Sequence, residues 1–192
     1  MNKNIKGWFK IDGVRADGDR TLSQQLSGVV PFLPEAEGKT VLDLGCAEGL
    51  IGREFAKAGA VDVLGIELLQ SHIDVGRIAC KDTPQVRFIC RHLMNYIEDV
   101  GDSLHKFDIV LALSVIHKVH DPKPLLRFAA RSAVSTLLFR PPIHAVKGVI
   151  RSKHTGKACD VPKILAEEGF FLDKVVKGEV ANEPVECWRR VV

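Results

Sequence analysis

The chain has 192 residues, a length at which one domain can bury a full core and still carry a site. Its formal charge is +3, with 46% hydrophobic and 27% charged residues. This balance excludes an intrinsically disordered chain, which would be poorer in hydrophobic residues and more one-sided in charge. No run of 18 consecutive apolar residues occurs, and no apolar run follows the first lysines, so we expect neither a membrane span nor a signal peptide. A cytoplasmic protein is expected.

Cysteine and histidine spacing argues against disulfide and metal chemistry. The five cysteines form an odd set without a CxxC pair: Cys46, Cys80, Cys90, Cys159 and Cys187. This pattern predicts reduced thiols, as in a cytoplasmic domain. His117 and His120 are three residues apart, but no second pair of ligands lies near them in the sequence, so no metal site is predicted.

Residues 1–39 are polar and mixed, and they predict an N-terminal extension with one short helix near residues 21–32. From residue 40 onward, short apolar runs alternate with helical patterns. The predicted strands cover residues 41–45, 61–66, 86–90, 108–113 and 133–139. The predicted helices cover residues 50–60, 71–80, 121–131 and 160–168.

The chain ends in two predicted strands, at residues 170–176 and 185–191, with no helix between them. Strands that alternate with helices form a parallel sheet covered on both faces, whereas adjacent strands joined by a short loop pair antiparallel. We therefore predict one α/β domain over residues 40–192: a doubly wound, mostly parallel sheet with a C-terminal antiparallel hairpin. In such sheets, ligands bind at the carboxyl ends of the strands.

A turn of small residues follows the first predicted strand, from Gly45 to Gly49. Glycine allows positive φ and a close approach of ligand to backbone, Ala47 keeps the turn thin, and the helix that follows offers free N–H groups. The alternative interpretation is a strand–helix turn that needs glycine only for packing.

Glu67 ends the second predicted strand, 22 residues after Gly45. A carboxylate in this position can accept hydrogen bonds from both hydroxyls of a ribose. The GxGxxG frame of dinucleotide-binding proteins would need glycine where Ala47 and Leu50 stand, so a nicotinamide-dependent dehydrogenase is disfavoured.

Three segments together resemble the class I S-adenosylmethionine-dependent methyltransferases. Val41–Gly49 (VLDLGCAEG) resembles their first motif, Gly65–Glu67 resembles the ribose-binding acid, and Phe107–His117 followed by Asp121-Pro122 resembles their fourth motif. The resemblance spans residues 39–192. It implies a Rossmann-like seven-stranded sheet of order 3-2-1-4-5-7-6 and S-adenosylmethionine as the cofactor.

The resemblance also implies a set of cofactor-binding residues. The residues that would form the turn and hold the methionine part of the cofactor are Asp43, Gly45, Cys46, Ala47 and Gly49. Glu67 would hold the ribose, Leu68 would lie on the adenine, and Leu113 and Ser114 would face the methionine part and the transferring methyl group.

Two positions depart from the family pattern. Ala47 replaces the middle glycine of the turn. His92, followed by Leu93, stands where the third motif usually has an aspartate near the adenine amino group, and an imidazole can still hydrogen-bond an adenine edge.

His117 follows the fourth predicted strand, where a methyl acceptor should approach. It is a candidate general base, which methyl transfer requires only when the acceptor must lose a proton. The alternative is a histidine that packs in a helix or loop.

The segment from Pro122 to Cys159 contains no acidic residue. Its cations are Lys123, Arg127, Arg131, Arg140, Lys147, Arg151, Lys153 and Lys157, joined by His144 and His154. A basic loop over residues 140–157 would suit an anionic substrate, either RNA or a phosphorylated or other small metabolite. A solvated surface loop is the alternative.

The extension carries Trp8-Phe9-Lys10, Arg15 and Arg20. This segment could fold over the cofactor as a lid or serve only for packing. A non-catalytic protein that binds the cofactor on the same fold is the alternative function. The sequence does not indicate the oligomeric state.

Overall fold

The computed structural model describes residues 7–14, 17–101, 103, 105–142, 145, 147–178 and 183–191. The strands are β1 (Thr40–Leu44), β2 (Asp62–Glu67), β3 (Val86–Cys90), β4 (Phe107–Leu113), β5 (Ala133–Arg140), β6 (Val149–Arg151), β7 (Ala158–Asp160), β8 (Phe170–Val176) and β9 (Val185–Arg190). The α-helices are α1 (Leu22–Leu26), α2 (Leu50–Lys57), α3 (Gln70–Ala79), α4 (Leu93–Val100), α5 (Pro122–Ser132) and α6 (Val161–Glu167), with 3-10 helices at Val30–Ala36 and Ile116–Lys118.

Seven strands form one sheet in the order β3-β2-β1-β4-β5-β9-β8. β1 to β5 are parallel, and β9 runs antiparallel to both β5 and β8. The predicted Rossmann-like architecture and its antiparallel C-terminal pair are confirmed. The chain order reverses between β1 and β4, so the carboxyl ends of these two strands border a crevice.

Helix starts follow from local capping chemistry. The Asp121 side chain accepts a hydrogen bond from Lys123 N at 3.1 Å, and Pro122 opens α5 without a spare N–H group. Asp160 caps α6 in the same way, through Lys163 N at 3.0 Å. Both starts are those that the sequence predicts.

The hydrophobic core lies on the two faces of the sheet. Alternate residues of β1 point to opposite faces, so Val41 packs in one cluster and Leu42 in the other. Phe9, from the N-terminal extension, is 2% exposed and packs in the same cluster as Val41 and Phe55 of α2. The extension is therefore part of the core.

Three features were absent from the sequence prediction: α4, the 3-10 helix at Ile116–Lys118 and the β6–β7 hairpin. The strands of the hairpin have three residues each, too few to show a period. In the part of the chain that the structure describes, no helix has both the length and the apolar character of a membrane span. Within the same residues, no group of three or more metal-ligating side chains comes together.

Candidate functional site

The turn after β1 alternates between ordinary and left-handed backbone. Gly45, Ala47 and Gly49 have φ values of 72°, 50° and 70°. A Cβ on Gly45 would lie 2.6 Å from Val115 Cγ2, and one on Gly49 would lie 2.5 Å from the Phe88 ring. Ala47 holds the left-handed conformation at a cost of about 1–2 kcal/mol, as expected where surrounding contacts dictate the backbone.

Glu67 fastens this turn to the end of β2. Its Oε2 accepts a hydrogen bond from Ala47 N at 3.0 Å, and its Oε1 accepts one from Leu69 N at 2.9 Å. The residue is only 9% exposed. Each carboxylate oxygen keeps a further acceptor site, so Glu67 can shape the turn and still accept hydroxyl donors.

A mostly apolar cleft of about 270 Å³ opens at the carboxyl ends of β1, β2 and β4. Its lining is Trp8, Gly45, Ala47, Ile66, Glu67, Leu68, Leu69, His72, His92, Leu93, Leu113, Val115, Lys118 and Val119. A second cavity, of about 30 Å³, is lined by Trp8, Phe9, Gln25, Asp43, Gly45, Cys46, Ala47, Ile51 and Leu113.

The two cavities bring most of the candidate cofactor residues together. Nine of the eleven line one or both of them: Asp43, Gly45, Cys46, Ala47, Glu67, Leu68, His92, Leu93 and Leu113. Gly49 lies behind the turn against Phe88, and Ser114 lines neither cavity. Ser114 has φ 58°, so the backbone is also strained at the end of β4.

Asp43 is the most perturbed carboxyl group of the site. Burial raises its pKa to about 7, with a further contribution from the negative charge of Glu67, against a hydrogen bond from the Gly52 backbone. Burial likewise raises the pKa of the neighbouring Cys46 thiol well above its ordinary value, so Cys46 stays protonated. The small cavity thus contains a carboxyl group that can gain or lose a proton near neutral pH.

The N-terminal strap, residues 7–14 and 17–20, lies against the turn. The amides of Trp8 and Phe9 donate to the two carboxylate oxygens of Glu48 at 2.9 and 3.2 Å. Phe9 is a core residue, whereas Trp8 lines both cavities. The strap therefore packs in the core and contributes to the lining of both cavities, while its action as a lid stays a prediction. Arg15 lies outside the described residues.

Two residues of the cleft were missed by the sequence analysis. His72 of α3 is buried, with ring nitrogens 3.7 Å from Glu67 Oε1 and 3.9 Å from Glu48 Oε1, and neither nitrogen makes a hydrogen bond within the described residues. Lys118 lines the cleft with its Nζ 4.4 Å from the centre of the Trp8 ring. Only its position beside His117 could have drawn attention to Lys118.

His117 is buried in the 3-10 helix after β4 and lines neither cavity. Burial lowers its pKa to about 4; the positive charges of Lys153 and Lys118 act in the same direction, and Glu183 opposes them. Its Nδ1 has no hydrogen-bond partner among the described residues. The imidazole is therefore neutral at pH 7 and able to accept a proton.

The β6–β7 hairpin, which belongs to the basic segment 122–159, is hydrogen-bonded to the loop after β4. From the β6–β7 hairpin, Ser152 Oγ donates to Val119 O at 2.6 Å, Thr155 Oγ1 donates to His120 O at 2.6 Å, and Lys153 N donates to His117 O at 2.9 Å. The hairpin thereby fixes the position of His117 and Lys118.

Several cations of this segment are engaged within the protein. Arg127 and Arg131 pair with Glu168, and Lys157 pairs with Asp121. Arg140 is 2% exposed and donates to the carbonyls of Gln25 and Ser27 in the extension. Lys123, Lys147, Arg151 and Lys153 form no ion pair with a described residue, and His144 lies outside those residues.

Residues 41–134 match the model of a family described as a methyltransferase domain. The chain is 29% identical over 97 residues to the ubiquinone biosynthesis O-methyltransferase of Neisseria meningitidis, covering 49% of this chain and 39% of that protein. It is 31% identical over 109 residues to the mitochondrial ubiquinone biosynthesis O-methyltransferase of Arabidopsis thaliana, covering 57% and 32%. The chain thus spans less than two fifths of the length of these curated relatives.

Solved structures share the fold. Magnesium protoporphyrin IX methyltransferase from Synechocystis PCC 6803, crystallised with bound SAH, superposes with a TM-score of 0.67 at 18% identity, covering 88% of this chain and 83% of that one. An S-adenosylmethionine-dependent methyltransferase from Mesorhizobium loti superposes with a TM-score of 0.61 at 20% identity, covering 84% and 95%.

Proposed function

We propose that this chain, which belongs to the class I S-adenosylmethionine-dependent methyltransferase superfamily, binds S-adenosylmethionine in the 270 Å³ cleft and methylates a small acceptor. The observation that carries the proposal is the pairing of Glu67 with the turn at Gly45. A buried carboxylate and a backbone surface without side chains face one cleft at the reversal point of the sheet.

The residues of the cleft fit this cofactor. We assign the ribose hydroxyls to Glu67, the adenine to the side of the cleft with Leu68, His92 and Leu93, and the methionine part to the small cavity beside Asp43. Glu67 has the acceptor capacity for two hydroxyls, and an ionised Asp43 would attract the ammonium group of the methionine part.

When bound, S-adenosylmethionine supplies a methyl group on a positively charged sulfur that is a good leaving group. The chain then has to orient the acceptor and keep water out, because positioning supplies much of the rate of such displacements. Trp8, which lines both cavities, covers the site in this scheme. The strap therefore acts as a lid as well as a packing element.

His117 is the proposed base for an acceptor that must lose a proton. Its Nδ1, which has no hydrogen-bond partner among the described residues, supports this role, whereas the lowered pKa makes the ring a weaker base than an ordinary histidine. Because it lines neither cavity, the segment Ile116–Lys118 would have to shift for His117 to reach an acceptor.

Replacing Glu67 with alanine is expected to weaken the binding of S-adenosylhomocysteine about 10- to 100-fold. The variant loses charged hydrogen bonds that contribute roughly 1.5–3 kcal/mol each. Calorimetric titration measures the affinity, and Glu98→Ala, which removes an exposed carboxylate of α4, is the matched control. Equal affinities in two folded variants would contradict the ribose assignment.

The brace formed by the β6–β7 hairpin favours a small acceptor over RNA. We expect no salt-dependent binding of RNA to the wild type, and no difference for the double variant R151E/K153E. Filter retention at several salt concentrations tests this expectation. If phosphate contacts exist, the double variant would instead lower the slope of log affinity against log salt by roughly 0.7 per lost contact.

Methyl transfer itself distinguishes an enzyme from a non-catalytic cofactor-binding protein. Incubation with S-adenosylmethionine carrying a tritiated methyl group and separate RNA, protein and metabolite fractions is expected to label the metabolite fraction. Cofactor binding without label in any fraction would favour the non-catalytic alternative.

All five cysteines are free thiols, which supports the proposed cytoplasmic location.

A further inference from the structure

Lys118 is a cation of the cleft that forms no ion pair with a described residue. It lines the cleft on the side of Trp8, Val115 and Val119, and its Nζ lies over the Trp8 ring at 4.4 Å. Within the described residues, no carboxylate lies within 4.0 Å of this nitrogen. The ammonium group is therefore available for a charge-assisted hydrogen bond to an anion in the cleft.

The charges that face Lys118 come from four elements: Lys153 from the hairpin, Arg20 from the strap, Glu67 from β2 and Glu183 from the segment before β9. Lys118 is an exposed residue, and partial desolvation of its ammonium group is the first cause of its lowered pKa, followed by repulsion from Lys153. The two carboxylates compensate only in part.

Among the described residues, neither of those carboxylates pairs directly with the Lys118 ammonium group. Arg20 binds Glu183 with two hydrogen bonds of 3.0 and 3.2 Å. Glu67 accepts the amides of Ala47 and Leu69, and Glu48 accepts the amide of Trp8. The Lys118 ammonium group therefore keeps donors for an anion that enters the cleft.

We propose that the methyl acceptor is a small molecule with an anionic oxygen, a carboxylate or a phenolate, and that this oxygen docks against Lys118 at the Trp8 end of the cleft. The proposal rests on the cofactor site proposed above. The strap favours a small acceptor over a nucleic-acid strand, because Trp8 covers this end and Glu48 holds the strap in place.

An anionic acceptor also removes the need for a base in the cleft. The acceptor oxygen forms a bond to the methyl carbon as the bond from carbon to sulfur breaks, and the electron pair of that bond stays on sulfur. No proton has to leave, so general-base catalysis is not required. Lys118 holds the oxygen in its ionised form and positions it.

Binding of benzoate and of its neutral analogue benzamide tests the proposal. Each is titrated by ligand-observed NMR into the full chain, with and without saturating S-adenosylhomocysteine. We expect the wild type to prefer benzoate. Lys118→Met is expected to bind benzoate about tenfold more weakly with benzamide binding unchanged, because one charge-assisted hydrogen bond is lost. Lys118→Arg should retain the preference.

A second readout does not depend on a variant. Benzoate should protect Lys118 from acetylation by acetic anhydride, measured by mass spectrometry of peptides. Lys123→Met, which removes an exposed cation of α5, is the matched control and should bind both probes as the wild type does.

Equal binding of the two probes, or unchanged benzoate binding in a folded Lys118→Met variant, would overturn the proposal. So would benzoate that binds without protecting Lys118, or no benzoate binding at millimolar concentration. Absence of S-adenosylhomocysteine binding would instead contradict the proposed cofactor site, while the preference for benzoate is still read from the cofactor-free protein.

Discussion

Replacing Gly45 with valine is expected to abolish cofactor binding, with a loss of more than about 100-fold in affinity. The new Cβ would meet Val115 Cγ2 at 2.6 Å, so either the turn or the loop after β4 must move. A branched side chain is also strained at φ 72° and would project where Gly45 lines the cleft. The measurement is the rise in melting temperature that S-adenosylhomocysteine produces.

Gly38→Val provides the control for backbone strain. Gly38 has φ 68°, and a Cβ there would meet nothing within 4 Å, so the substitution has a similar conformational cost without touching the cleft. The Gly38→Val control is expected to be less stable than the wild type but to show the full rise in melting temperature with S-adenosylhomocysteine. A folded Gly45→Val variant with the same rise would disprove the placement of the cofactor beside this turn.

Replacing Asp43 with asparagine is expected to change how stability depends on pH. An unfolded aspartate ionises near pH 4, whereas burial raises the pKa of Asp43 in the folded chain to about 7. Between these values the folded state binds more protons than the unfolded state. This group therefore makes the free energy of unfolding fall as pH rises from about 4 to about 7.

The Asp43→Asn variant should lack this decline. At pH 8 its free energy of unfolding should exceed that of the wild type by on the order of 2 kcal/mol or more. Asparagine keeps an oxygen that can accept the hydrogen bond from Gly52. Urea unfolding at pH 5 and pH 8 measures the effect.

His117 contributes with the opposite sign, because its pKa is lowered to about 4 and its stabilising effect grows as pH rises from there towards about 6.5. Because both proteins contain His117, its contribution cancels when the free energy of unfolding of the wild type is subtracted from that of the Asp43→Asn variant. Parallel pH profiles of the two proteins would show that Asp43 is ionised in the folded state.

The alternation of strands and helices and the turn at Gly45 could be predicted because both leave local signals, whereas the order of the sheet came from the resemblance to the class I methyltransferases. Strands and helices show periods within a few residues, and the end of a strand followed by small residues marks a ligand turn. Glu67 was predictable for the same reason, since it ends a strand that neighbours the first.

The features of the site that the sequence did not predict depend on contacts between distant segments of the chain. The amide of Phe9 donates to Glu48, which is 39 residues away in the sequence, and no local pattern predicts this hydrogen bond. Lys118 gave no signal of its own in the sequence, because its contact with Trp8 joins the strap to the loop after β4. His72 gave no signal, because its position between two carboxylates arises from the packing of α3 on the end of β2.

The attachment of the strap to Glu48 makes the opening of the cleft observable in the free protein. The amides of Trp8 and Phe9 are held by one buried carboxylate, and Phe9 is itself anchored in the core. Such amides exchange their hydrogen with solvent only when the local structure opens. The deuterium uptake of these two amides therefore reports how often Glu48 releases the strap, and their slowing on ligand binding reports how strongly the ligand holds it closed.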